Sequence, residues 1–207
     1  MREVAERLGV SIQRVHAMLR AGELHGRQVA GVWLLGEAQL LKPRKLGRPM
    51  SPRTAWAAIL GVREVDWLSQ PERFKLVKRL GKLRTDPDAA RRLATWLAAR
   101  ADPLTMSAPE PEGLWGDPDL VPSGVSDPRS GMSGGRAFEF YAQPGSIQHV
   151  LRKHLLVEDS AGQVRLREAP VALSAPVPLL LLAADLADRG GPREMRRAAE
   201  LIKEWQL

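Results

Sequence analysis

The chain has no cysteine among its 207 residues. Disulfides, thiolate metal sites and cysteine nucleophiles are therefore excluded. It also has no long apolar run. The longest, residues 177–184, is far shorter than the roughly 20 residues a membrane-spanning helix needs. No apolar signal segment opens the sequence, so the expectation is a cytoplasmic protein with no membrane partner. No glycine-rich phosphate loop and no Ser/His/Asp signature is present. His149 and His154 are five residues apart, which puts them on different faces of a helix, so no metal site is expected there.

Charge is plentiful but unevenly placed. Residues 1–54 carry ten Lys/Arg against four Asp/Glu, residues 55–101 ten against five, and residues 102–207 eleven against fifteen. The three segments thus hold +6, +5 and −4 of the net +7. A basic half beside an acidic half is the distribution of a nucleic-acid-binding module joined to a different one.

Residues 3–35 carry the clearest pattern. Val4, Ala5 and Leu8 share a helical face, and Gly9-Val10 interrupts it. Ser11 is a good N-cap for a second helix, whose apolar stripe is Ile12, Val15, Met18 and Leu19, and Gly22 ends it. Gln28-Val29 and Val32-Trp33-Leu34 then flank Ala30-Gly31, the pattern of a tight β-hairpin. Helix, turn, helix and hairpin make a winged helix-turn-helix.

The segments VAERLGVS, AGELHGRQVAGVWLL and GEAQLL resemble the MerR/excisionase-type winged DNA-binding domain over roughly the first fifth of the chain. The resemblance implies double-stranded DNA as a partner, with a recognition helix from Ser11 to Arg20 in the major groove. Ser11, Gln13, Arg14, His16 and Arg20 are its candidate contacts. Arg27 and Gln28 of the wing would meet backbone or minor groove. Metal-sensing relatives hold their metal through cysteines, so that branch is excluded.

Beyond a short closing helix at 37–41 lies the proline-flanked tract Lys42-Pro43-Arg44-Lys45-Leu46-Gly47-Arg48-Pro49. Its cations Lys42, Arg44, Lys45 and Arg48 either contact phosphates or belong to a solvated linker. Ser51-Pro52 opens a helix with Ala55, Trp56, Ile59 and Leu60 inward. Ser69 and Glu72 have capping-box spacing for a helix reaching about residue 83, with Phe74, Val77, Leu80 and Leu83 inward. Its cations read mainly as a solvated face. Asp86-Pro87 starts a third helix. The sequence predicts a winged domain at 1–42, a basic linker at 43–50, a helical unit at 51–101, a loop-rich linker at 102–135 and an α+β domain at 136–207, whose alternative start is near Glu112.

In that last segment, residues 137–142 alternate as a half-buried strand. A helix follows at 147–154, then a hairpin formed by 155–158 and 163–167, a buried helix at 177–188 and an amphipathic helix at 193–205. Leu201, Ile202 and Trp205 of this final helix either face a partner or pad the domain's own core. The overall class is α+β.

Nucleotidyltransferases follow a Gly-Ser turn with a strand bearing two carboxylates one residue apart, which hold two metals. Ser123-Gly124-Val125-Ser126 and the strand Phe138-Glu139-Phe140-Tyr141 have that outline, but Tyr141 replaces the second carboxylate. A tyrosine is not an anionic ligand at neutral pH. If this half has the nucleotidyltransferase-like fold, it is a degenerate one, expected to lack catalytic residues, cofactor and metal.

A second resemblance rests on the order of winged domain, GRPMSPRTAWAAIL, SGVS, GGRAFEFYA and LLVEDSAGQVRLREAP. This order resembles the AbiEi antitoxins of type IV toxin–antitoxin operons. It implies a non-enzymatic, nucleoid-associated autorepressor, with a nucleotidyltransferase-like toxin as partner; a homodimer is left open by the sequence. The alternatives are an excisionase or architectural DNA-bending protein, and a nucleotidyltransferase-like enzyme.

Overall fold

The computed structural model describes residues 4–5, 11–20, 26–29, 32–35, 46–132 and 135–206. The chain divides into two compact units, Met1–Lys45 and Leu46–Leu207. Among the described residues no helix is long and apolar enough to cross a membrane.

In the first unit, Val4 and Ala5 are helical and buried. Helix α1 spans Ile12–Arg20. The Ser11 hydroxyl accepts a bond from the Arg14 amide at 3.2 Å, the N-cap expected of it. Val15 is fully buried, whereas Ile12 is 43% exposed and departs from the expected apolar stripe. Strands β1 (Gly26–Val29) and β2 (Val32–Leu35) pair antiparallel, with Val29 opposite Val32. A two-residue connection suits that register.

The second unit opens with three helices: α2 (Pro52–Leu60), α3 (Gln70–Leu80) and α4 (Ala89–Trp96). Ser51 caps α2 by accepting from the Thr54 amide. The Glu72 carboxylate receives the Ser69 amide at 2.8 Å and the Ser69 hydroxyl at 2.7 Å, closing the first turn of α3. Helix α3 stops at Leu80, short of the expected residue 83, and its rotation differs too. Leu76, Leu80 and Leu83 are buried, while Phe74 is 71% exposed. The cause is Arg73, whose guanidinium donates to the carbonyls of Val62, Val65 and Leu68. Those bonds to the preceding loop fix which face turns inward.

A mixed five-stranded sheet follows. Its strands are β3 (Leu104–Ser107), β4 (Leu120–Pro122), β5 (Phe138–Ala142), β6 (Val157–Glu158) and β7 (Val164–Glu168), in the order β4-β5-β7-β3-β6. Of these neighbours only β5 and β7 run parallel. The expected hairpin of 155–158 with 163–167 does not form. Strand β3 inserts between β6 and β7 and pairs with both. The loop between them turns onto β3 instead, with the Asp159 amide on Thr105 O at 3.0 Å and the Ser107 hydroxyl on Asp159 at 2.6 Å.

The same insertion corrects the expected domain plan. Residues 102–135 are not a linker, because they supply β3 and β4. The helices of 51–101 are not a separate unit either. One core runs from Met50 through Trp56, Leu93 and Tyr141 to Ile202. Trp56 stands edge-on to Tyr141 at 6.2 Å and donates its indole N–H to Arg100 O at 2.7 Å. Three short helices bury too little apolar surface alone and complete their core against the sheet. Helices α6 (Leu179–Arg189) and α7 (Pro192–Glu204) share that core. Leu201 and Ile202 are fully buried there, so they pad the unit itself rather than face a partner. On the other sheet face, Phe140, Ala142, Val164 and Leu166 pack against Val150 of α5 (Ile147–Lys153).

Candidate nucleic-acid interface

Helix α1 arranges its polar residues around one anchor. Val15 is buried, while Ser11, Gln13, Arg14 and His16 are exposed. At 100° per residue, Gln13 lies nearly opposite Val15, with Arg14 and His16 on its flanks. No acidic residue occupies the first turn, so the positive end of the helix dipole is uncompensated there. Ser11 uses its oxygen as the cap and keeps its hydroxyl proton to donate. Arg20 is the last residue of α1. In the hairpin ladder Arg27 stands opposite Leu34 and Gln28 opposite Trp33.

Of the tract cations, Lys42, Arg44 and Lys45 lie outside the described residues. Arg48 is exposed, on a segment held by its backbone. Trp96 donates its indole N–H to Leu46 O at 2.8 Å, and Arg92 donates to the same oxygen at 3.2 Å. Arg79 donates to Arg48 O, and the Met50 amide bonds Trp96 O at 2.8 Å. Gly47 has φ +93°, and a β-carbon there would come 3.0 Å from the Trp96 indole nitrogen. From Leu46 onward the tract is therefore packed against α4 rather than a solvated linker.

The turn and strand with nucleotidyltransferase outline do meet. The Glu139 amide donates to the Ser126 hydroxyl at 2.8 Å, and the Ser123 amide donates to the Glu139 carbonyl. Their side chains serve a buried ion network. Arg167 contacts Glu139 at 2.8 Å and Asp188 at 3.1 Å. Arg100 contacts Asp185 at 2.6 Å and Asp188 at 2.5 Å. Arg189 reaches Glu139 at 3.4 Å. Tyr141 accepts from Arg100 and donates to Asp185, both at 3.0 Å, and Ser123 also donates to Asp185. Burial, then the nearby Asp185 charge, pushes the Glu139 carboxyl above its usual range, against the pull of Arg167. Burial likewise raises the Tyr141 phenol.

Three guanidinium groups and three carboxylates thus balance beneath α6. The alternation of 138–142 was readable, but not that its polar face is covered. Asp185 inside the apolar run of residues 179–187 was the available signal. Among the described residues no group of three or more His, Cys, Asp or Glu is placed to hold a metal ion.

No protein-family model, curated protein or solved structure matches this chain.

Proposed function

We propose that this protein is a sequence-specific DNA-binding transcriptional regulator, with residues 1–42 as a winged helix-turn-helix. The observation that carries this reading is α1, a serine-capped helix anchored by Val15 that presents Gln13, Arg14 and His16 to solvent. It is followed by a tight hairpin within the same unit. Gln and Arg near the start of such a helix are the side chains that read adenine and guanine edges bidentately. Arg27, Gln28 and the basic tract supply sequence-independent phosphate contacts.

In this proposal the protein is an antitoxin-like autorepressor acting at the nucleoid in the cytoplasm. The unit Leu46–Leu207 is non-catalytic and serves dimerisation or a nucleotidyltransferase-like toxin. The buried Arg–carboxylate network supports that assignment, because it engages Glu139 and Asp185 with cations inside the core. Since Leu201 and Ile202 are core residues, Leu155 and Val157, exposed at the β6 edge, are the better partner-surface candidates. Footprinting on the chain's own upstream region tests the reading. A protected site should appear with the full chain and vanish with Gln13→Ala/Arg14→Ala. Equal protection by both proteins would refute the role of α1.

A further inference from the structure

The strongest unassigned feature is the outer face of α3. From Arg73 to Thr85 the sequence carries six Lys/Arg and no carboxylate. Arg73 is engaged by loop carbonyls. Lys75, Lys78 and Lys82 are exposed. With Arg79, Arg92 and Trp96 they line a concave surface of about 480 Å³, and the carboxylate among its lining residues, Asp86, is bonded by Arg92.

Two details distinguish this surface from an ordinary solvated helix. The first is the Trp96 ring, with the Arg79 guanidinium 4.3 Å and the Arg92 guanidinium 5.7 Å from its centre. Partial burial, then repulsion from Arg92, lowers the proton affinity of Arg79. A bound anion would relieve that repulsion. The second is chain continuity. The basic tract enters this surface at Leu46 and Arg48, whose carbonyls are held by Trp96, Arg92 and Arg79. Lys45 immediately precedes the anchored segment.

We propose that this surface binds the sugar–phosphate backbone of duplex DNA, as a second contact separate from the bases read by α1. Lys75 and Lys78 lie on α3 and Lys82 on the turn after it, a span of about 10 Å if the chain continues near helical rise through Gly81. Duplex DNA presents about six phosphate charges over that length. A row of flexible ammonium groups on a helix and the turn that ends it suits such a charge line without reading sequence.

The test uses the full chain with Lys75→Ala/Lys78→Ala/Lys82→Ala, the matching triple arginine variant, and Gln13→Ala/Arg14→Ala. Each is titrated across a salt series with a short duplex from the upstream region, a scrambled duplex, and poly-glutamate. The triple alanine variant should keep its melting temperature and weaken both duplexes equally. Its slope of log affinity against log salt should shrink by about 2 to 3, because each phosphate that a lysine neutralises adds about 0.9 to that slope. The arginine variant should keep the parent slope. The α1 variant should lose the preference between duplexes but retain the share of the slope owed to Lys75, Lys78 and Lys82.

An unchanged slope in the triple alanine variant overturns the proposal and leaves the α1 reading standing. An unchanged duplex preference in the α1 variant overturns that reading and leaves this one standing. Equally tight, lysine-dependent binding of poly-glutamate would make the surface a generic anion site and overturn the duplex assignment. Failure of the parent chain to bind any duplex overturns both.

Discussion

Replacing Asp185 with Asn removes one charge from the buried network and little volume. The carboxylate accepts from Arg100 at 2.6 Å and from Tyr141 at 3.0 Å, receives the Ser123 hydroxyl, and lies 3.4 Å from Arg167. The three guanidinium groups would then face only Glu139 and Asp188. Asparagine also offers one acceptor where the site has donors on both oxygens. Ser123 can rotate its hydroxyl, but Arg100 cannot cease to donate. Removing one partner of a buried ion pair costs about 3–5 kcal/mol, because the other charge stays desolvated. For a unit of this size each kcal/mol moves the melting temperature by about 2–4 °C. Asp185→Asn should therefore melt about 6–20 °C lower by calorimetry, with an unchanged denaturant m-value. A drop under about 2 °C would refute the claim that this network pins α6 to the sheet.

Other perturbations follow from the same geometry. Gly124 has φ +50°, and a β-carbon there would fall 2.1 Å from a Glu139 carboxylate oxygen, so Gly124→Ala should cost about 3 kcal/mol or more in chemical denaturation. Gly131→Ala, at φ +66° in open space, should cost only about 1 kcal/mol, the backbone share alone. The Ser69 hydroxyl and amide, then Arg53, hold the Glu72 carboxyl near 2 against an ordinary value of 4.5. Because the folded value is the lower one, its contribution is present above 4.5 and is lost as pH falls through about 2. Melting of Glu72→Gln against pH should accordingly show a shallower acid limb than the parent.

Local signals in the sequence were largely sufficient for local structure. The Ser11 cap, the two-residue hairpin, the Ser51-Pro52 start and the Ser69/Glu72 box all depend on residues within a turn of one another. What was not legible depends on partners far along the chain. Strand β3 separates β6 from β7 although it lies about fifty residues upstream of β6, and no local pattern distinguishes that arrangement from a hairpin. The sense of α3 was set by Arg73 reaching back to Val62, and so Phe74 emerged exposed rather than buried. Charged residues at 139, 167 and 185 carry no local sign of one another. Together with Arg100, Asp188 and Arg189 they form one charge-balanced network under α6. On the candidate interface, the sequence indicated Gln13, Arg14 and His16 through their offset from Val15. It offered no sign that Leu46 and Arg48 would be held against Trp96.

Base reading by α1 is measured by the affinity of the full chain for its own upstream duplex, relative to a scrambled duplex at one fixed salt concentration, before and after Gln13→Ala/Arg14→Ala. The parent should show a clear preference for the upstream duplex. In the variant that preference should fall by about 1–3 kcal/mol for each base edge no longer read, with non-specific binding retained. An unchanged preference in the variant would contradict base reading by Gln13 and Arg14.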